Sequence, residues 1–194
     1  MQSHTKQLGI FAALILLMAA TRYNHFGSSV SLPDASLAVF LLAGFLLARL
    51  NWLSLLAFVF LLLEAGGIDY YAINVAGVSD WCVTPAYWFL VPTYASMWFG
   101  GRWFAAHHQN TWMSLILFGG VSCLATTTAF LISNISFFLL SGRYSEMSVA
   151  EYAGRVAQYY PSYLSGSLIY LALAAVIYIL LNKLSKTLAG VVQN

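Results

Sequence analysis

Charge is what this sequence has least of. Eight lysines and arginines and six aspartates and glutamates make up 7% of its 194 residues, against roughly 25% in an ordinary soluble domain. That scarcity excludes a solvated globular surface, and with 61% hydrophobic residues the class that remains is an integral membrane protein. The net charge of +2 is small and scattered, with no basic block, which argues against nucleic acid as a partner. Low-complexity tracts and internal repeats are absent. So is a Walker motif, which excludes ATP hydrolysis of the P-loop kind. Cysteine is scarce as well. Cys123 falls within an apolar run, Phe118 to Ile132, at a different depth from Cys82, so a disulfide between them is not expected. One remaining cysteine is too few to build a protein metal site.

What is present is a succession of apolar runs. A helical crossing needs about 20 residues, so the chain has room for six crossings and for no sizeable soluble domain. The expectation is one all-α membrane domain over residues 1–194. Its six spans are Leu8 to Ala20, Ala35 to Leu50, Trp52 to Ile68, Pro85 to Phe99, Trp112 to Leu140 and Tyr163 to Leu181. The fifth is long enough to tilt or to break near Asn134. The first is short, and Lys6 ahead of it with Ala19-Ala20 at its end also fits a signal peptide.

Lysine and arginine are retained on the cytoplasmic side of a membrane. With both termini cytoplasmic, the inner segments hold Lys6, Arg49, Arg102, Lys183 and Lys186, and the outer ones hold Arg22, Arg143 and Arg155. The segment carrying Cys82 has neither residue type and belongs outside. The outer segments, Thr21 to Asp34, Asp69 to Thr84 and Ser141 to Pro161, are long, whereas the inner turn at Asn51 is tight. Long loops gathered on one face of a bundle commonly carry function.

In or beside those outer segments stand aromatic bodies with polar tips and polar neighbours: Tyr23, Asn24, His25, Asp69, Tyr70, Tyr71, Asn74, Asp80, Trp81, Arg155, Tyr159, Tyr160 and Tyr163. Such side chains line pockets for large ligands that are apolar on their faces and hydrogen-bonding at their edges. An interfacial aromatic belt accounts equally well for any single tyrosine. Cys82 stands among them in a polar loop. Pro85 behind it is suited to a first helical turn, and a helix N-terminus there would favour thiolate over thiol. A thiolate is both a nucleophile and a soft metal ligand. Disulfide exchange would need a second thiol within reach. Cysteine hydrolysis or transpeptidation would need a histidine base beside the sulfur, and of the histidines His25 is on the expected side. The third use is to coordinate a metal that a ligand brings with it.

The length, the six spans, the long outer loops and the lone cysteine in Asp80-Trp81-Cys82-Val83-Thr84-Pro85 resemble the BtuM family of small bacterial cobalamin transporters. These are related to the S-components of energy-coupling factor transporters. The likeness extends over the chain, with its specific part between Asp69 and Tyr87. It implies a six-helix bundle in the bacterial inner membrane that binds cobalamin from outside, with Cys82 as an axial ligand to the corrin cobalt. Cobalamin is then the bound substrate, and no intrinsic cofactor is implied. Tyr71, Trp81 and Tyr87 would pack against the corrin, Asp69 and Asn74 would hydrogen-bond its peripheral amides, and Arg155 would pair with the phosphate of its nucleotide tail. Arg155 also stands at helical spacing from Glu151, as an exposed helix pair would. If the cargo carries cyanide, thiolate ligation must displace it or follow its removal, which makes Cys82 a catalytic residue in decyanation.

The sequence departs from the S-component pattern in its first span. Ala12 and Ala13 are followed four residues on by Leu16 and Leu17, not by the alanines that dock an energy-coupling module. Gly9 and Ala13 do form a small-xxx-small pair. Glu64, within the third span, has a structural reading and a proton-relay reading. His107 and His108 are adjacent, about 100° apart on a helix, and make a poor chelate. The rival to a transporter is a membrane-embedded cysteine enzyme acting at the outer face.

Overall fold

The computed structural model describes residues 2–25, 32–50 and 52–192. Its elements, in chain order, are α1 (Gln2–His25), α2 (Ser36–Leu46), a 3-10 turn (Ala48–Leu50), α3 (Trp52–Asn74), a second 3-10 segment (Pro85–Phe89), α4 (Leu90–His107), α5 (Trp112–Leu140), α6 (Val149–Ala157) and α7 (Tyr160–Val192). No strand occurs among the described residues. The side chains of Asn24, His25 and Lys186, together with Asn51, lie outside what the structure describes.

Four helical stretches are long and apolar enough to cross a membrane: Thr5–Tyr23, Trp52–Asn74, Trp112–Leu140 and Tyr160–Leu184. The protein is therefore a membrane-embedded helical bundle. Its periphery is lined by exposed Leu16, Leu63, Phe99, Leu124 and Leu173, a surface that hydrocarbon tolerates and water does not. The other two expected spans take a different form. α2 is an 11-residue apolar helix, about 16 Å long at 1.5 Å per residue. α4 has 18 residues that include Gly100, Gly101 and Arg102.

α2 lies at the centre, with Ala38 to Ala43 buried and packed most extensively on α4. The approach is close enough to require glycine on both sides. A Cβ at Gly44 would collide with the carbonyl of Trp98, and one at Gly101 with the carbonyl of Leu41 and the amide of Phe45. Around this contact Phe40 stacks on Tyr94 at 4.3 Å and meets Phe58 edge-on at 5.6 Å.

α5 runs unbroken past Asn134, whose Nδ2 donates to the carbonyl of Phe130 one turn back, 2.9 Å away. That satisfies the side chain without opening the helix. α3 continues beyond Ile68 to Asn74, and α1 continues beyond Ala20 to His25. Both extensions carry polar residues into helix and bring them together at one end of the bundle. At the opposite end Arg102 donates to Ser54 Oγ at 2.7 Å. His108 bridges Ser114 Oγ, 3.1 Å from its Nδ1, and Tyr178 OH, 3.0 Å from its Nε2.

Candidate functional site

The polar end is organised around Arg22, in the last turn of α1. Its Nε and Nη2 donate to the two oxygens of Asp69 on α3, at 2.7 and 2.6 Å. Its Nη1 reaches Tyr94 OH at 2.8 Å, Ser36 Oγ at 3.0 Å and Asp34 Oδ2 at 3.1 Å. Tyr87 OH adds a bond to Asp69 Oδ2 at 2.7 Å. Arg22, Asp69, Ser36 and Tyr94 are all buried. A bidentate guanidinium–carboxylate pair is the arrangement able to hold such charges away from water. Removing one partner of a buried pair costs about 3–5 kcal/mol, so this hub locks α1, α2, α3 and α4 into one arrangement. Asp34 contributes twice, since its Oδ1 also accepts from the amide and hydroxyl of Ser36 at 2.9 and 2.6 Å.

Above the hub is the loop between α3 and the Pro85 segment. It leaves α3 through Gly77, whose φ of 71° is natural for glycine, and the Val78 amide returns to the carbonyl of Ala72 at 3.0 Å. Successive short turns follow: Trp81 N to Ser79 Oγ at 3.2 Å, Val83 N to the carbonyl of Asp80 at 2.8 Å, and Thr84 N to that of Cys82 at 3.1 Å. Thr84 caps the Pro85 segment by accepting from the Ala86 amide at 3.3 Å. Cys82 is thus held at a turn, exposed and free, and so is Cys123 on the side of α5.

The thiol does not behave as expected from the proline behind it. Partial burial pushes the Cys82 thiol up; Arg143 opposes that rise, and the charge of Asp69 adds to it. The five-residue 3-10 segment beyond runs directly into α4 at Leu90. The direction is away from the thiolate expected behind Pro85 and toward the protonated thiol.

Arg143 comes from the loop after α5. Its guanidinium lies 3.7 Å above the centre of the Trp81 ring, a cation–π contact that joins the two loops beside Cys82. A recess of about 340 Å³ adjoins it, lined by Arg143, Tyr144, Ser145, Glu146, Met147 and Glu151. α6 forms one wall, started by a capping box in which Ser148 and Glu151 satisfy each other's amides. Those bonds hold the Glu151 carboxyl below its usual range, and they engage Glu151 with Ser148.

The expected site residues therefore separate into groups. Asp69 and Tyr87 belong to the hub, with both Asp69 oxygens occupied. Trp81 is exposed at the Cys82 turn. Tyr71 is exposed on the last turns of α3, 6.1 Å from the ring of Tyr23. Asn74 is exposed nearby and donates to the carbonyl of Tyr70 at 2.9 Å. Arg155 is exposed on α6, 5.9 Å from the centre of the Tyr144 ring. Arg22, Asp34, Tyr94 and Arg143 join the site in the structure and are not among the residues expected there from sequence. The signal for Arg22 was available, a lone cation and a lone anion at the same ends of two apolar runs. His107 and His108 lie at the far end of α4 from Cys82. Among the described residues, no three His, Cys, Asp or Glu side chains converge to hold a metal ion. Against known proteins, the chain matches no family model and no curated sequence.

Proposed function

We propose that the chain is a membrane carrier for cobalamin, built on the BtuM plan, in which Cys82 ligates the corrin cobalt. In this reading α2 and α4 complete six crossings, both termini are cytoplasmic, and the Cys82 end faces outward from a bacterial inner membrane. The observation that carries it is the setting of Cys82: an exposed, free thiol on a braced turn, flanked by Trp81 with Arg143 and backed by the Arg22–Asp69–Tyr87 hub. One thiol suffices for this metal, because four corrin nitrogens leave two axial positions on cobalt(III).

Trp81 and Tyr71 supply apolar faces to the macrocycle, Asn74 supplies a polar tip, and Asp69 and Tyr87 act from below by holding the turn in place. Arg155 is offered to the phosphate of the nucleotide tail. Because burial favours the protonated thiol, ligation releases a proton, as metal–thiolate binding generally does. With cyanocobalamin the exchange is redox-neutral: the Co–S bond forms, the Co–CN bond breaks, and cyanide leaves with cobalt still in the +3 state. A cysteine hydrolase would need a base beside the sulfur; His107 and His108 are a helix length away, which leaves that reading only His25, whose side chain lies outside the described residues.

The test is to add cyanocobalamin to the purified protein and record the visible spectrum. A change in absorption with release of cyanide, absent in Cys82→Ala, is expected. An unchanged spectrum, or the same change in Cys82→Ala, overturns cobalt ligation by this residue.

A further inference from the structure

The strongest unexplained feature is Glu64. It lies midway along α3, and both its carboxylate oxygens are buried without a hydrogen-bond partner. The residue as a whole is half-buried, so it is the carboxylate end that is shielded; Asp69, the other acid of this helix, is buried and fully paired. α1 and α3 run parallel, since Phe11 meets Phe60 near one end and Arg22 meets Asp69 near the other. Glu64 falls between these contacts, level with residues 15–17 of α1 and about 7.5 Å along the axis from Asp69.

The neighbouring elements offer it no counter-charge. α1 has no titratable residue between Lys6 and Arg22, and α2 has none from Ser36 to Leu46. The 3-10 turn contributes Arg49, which is exposed at the far end. On α4, Tyr94 is bonded to Arg22 and Arg102 to Ser54. On α3 itself the nearest acid is Asp69, committed to Arg22. An ionised carboxylate in such surroundings is far more costly than a neutral acid, so the group is suited to carry a proton. A metal ion is a poorer occupant, because no cluster of three acidic, His or Cys side chains exists among the described residues.

We propose that Glu64 is a proton-binding site inside the membrane-spanning bundle, and that its loading and release accompany cargo movement. The chemistry is only the gain and loss of H⁺ at one carboxylate oxygen. The coupling half of the proposal rests on the carrier reading above; the proton site itself does not. It gives a chain without an ATP-binding motif a source of energy in a proton gradient.

Two measurements separate these parts. First, wild-type protein in liposomes is treated with dicyclohexylcarbodiimide, which attacks protonated carboxyls in apolar surroundings, and its peptides are analysed by mass spectrometry. An adduct at Glu64 that diminishes as the pH is raised is expected, and absence of the adduct overturns the proton site. Second, uptake of radiolabelled cobalamin is followed with an acid-outside gradient in wild type and Glu64→Gln. The expectation is several-fold stimulation by the gradient in wild type and none in the variant, with cobalamin binding, read from the visible spectrum, retained in both. Equal stimulation in the variant overturns the coupling. A wild type that neither binds nor takes up cobalamin sinks the carrier reading, and the coupling with it, and the adduct yield then decides the proton site alone.

Discussion

The Cys82 thiol is poised by three influences of unequal size. Partial burial raises it, Arg143 draws it back, and Asp69 raises it again. Since the thiolate is the reacting form, alkylation by iodoacetamide at neutral pH will be slower than that of a free cysteine. The rate will go on rising with pH beyond the point where a free thiol levels off. Arg143→Ala removes the one influence that favours the thiolate, so at a fixed pH near neutrality the rate falls a further few-fold. An unchanged rate in Arg143→Ala would refute the electrostatic account of this side chain. For a carrier, a reluctant thiol is an advantage: it resists oxidation on an exposed loop and yields its proton when a cobalt centre binds the sulfur.

Among the helices, the α2–α4 contact is the one with least room for change. Gly44 faces the Trp98 carbonyl and Gly101 faces the Leu41 carbonyl, and a methyl at either must force the backbones apart. Overpacking of this kind costs about 1–3 kcal/mol, and Gly44→Ala or Gly101→Ala will each lower the melting temperature in detergent. One displacement of α2 from α4 accommodates both methyls, so the double variant will lose less than the sum of the single losses. Additive losses would show that the two sites relax separately. The same helices illustrate what hydropathy can report. It located α3 and α5 well because their apolar faces meet lipid, but it marks where apolar side chains stop, not where the helix stops. α3 therefore runs six residues beyond its expected end, and Asp69, Tyr71 and Asn74, read as loop residues, are helical. Arg22 is helical for the same reason. Hydropathy gives no sign of α6 within the segment from Ser141 to Pro161, although Ser148 and Glu151 are spaced as a capping box.

The bundle has two chemically distinct ends. Of its six acidic residues, all but Glu64 gather at the Cys82 end, in the Arg22 hub or in the two loops joined by Trp81 and Arg143. Lys6, Arg49, Arg102 and Lys183 are at the other end, where Arg102 and His108 tie helices together through hydroxyl groups. Apolar runs and the place of Cys82 were legible in the sequence because each is a local property. The hub was not, because Arg22, Asp34, Asp69 and Tyr94 are distant in the chain and meet only when α1, α2, α3 and α4 pack. Arg22, Arg143 and Arg155 stand at the Cys82 end, so the cationic excess at the other end is modest; it has the sign that the proposed orientation requires, since cations are kept on the cytoplasmic side during insertion. A membrane-impermeant maleimide added to intact spheroplasts, at a pH high enough to ionise a raised thiol, should label Cys82. Cys123, exposed within the apolar stretch of α5, should stay unlabelled. Bound cobalamin should protect Cys82. Labelling that appears only after the membrane is opened would invert the bundle, and the carrier would then present its thiol to the cytoplasm, where it could not receive cargo from outside.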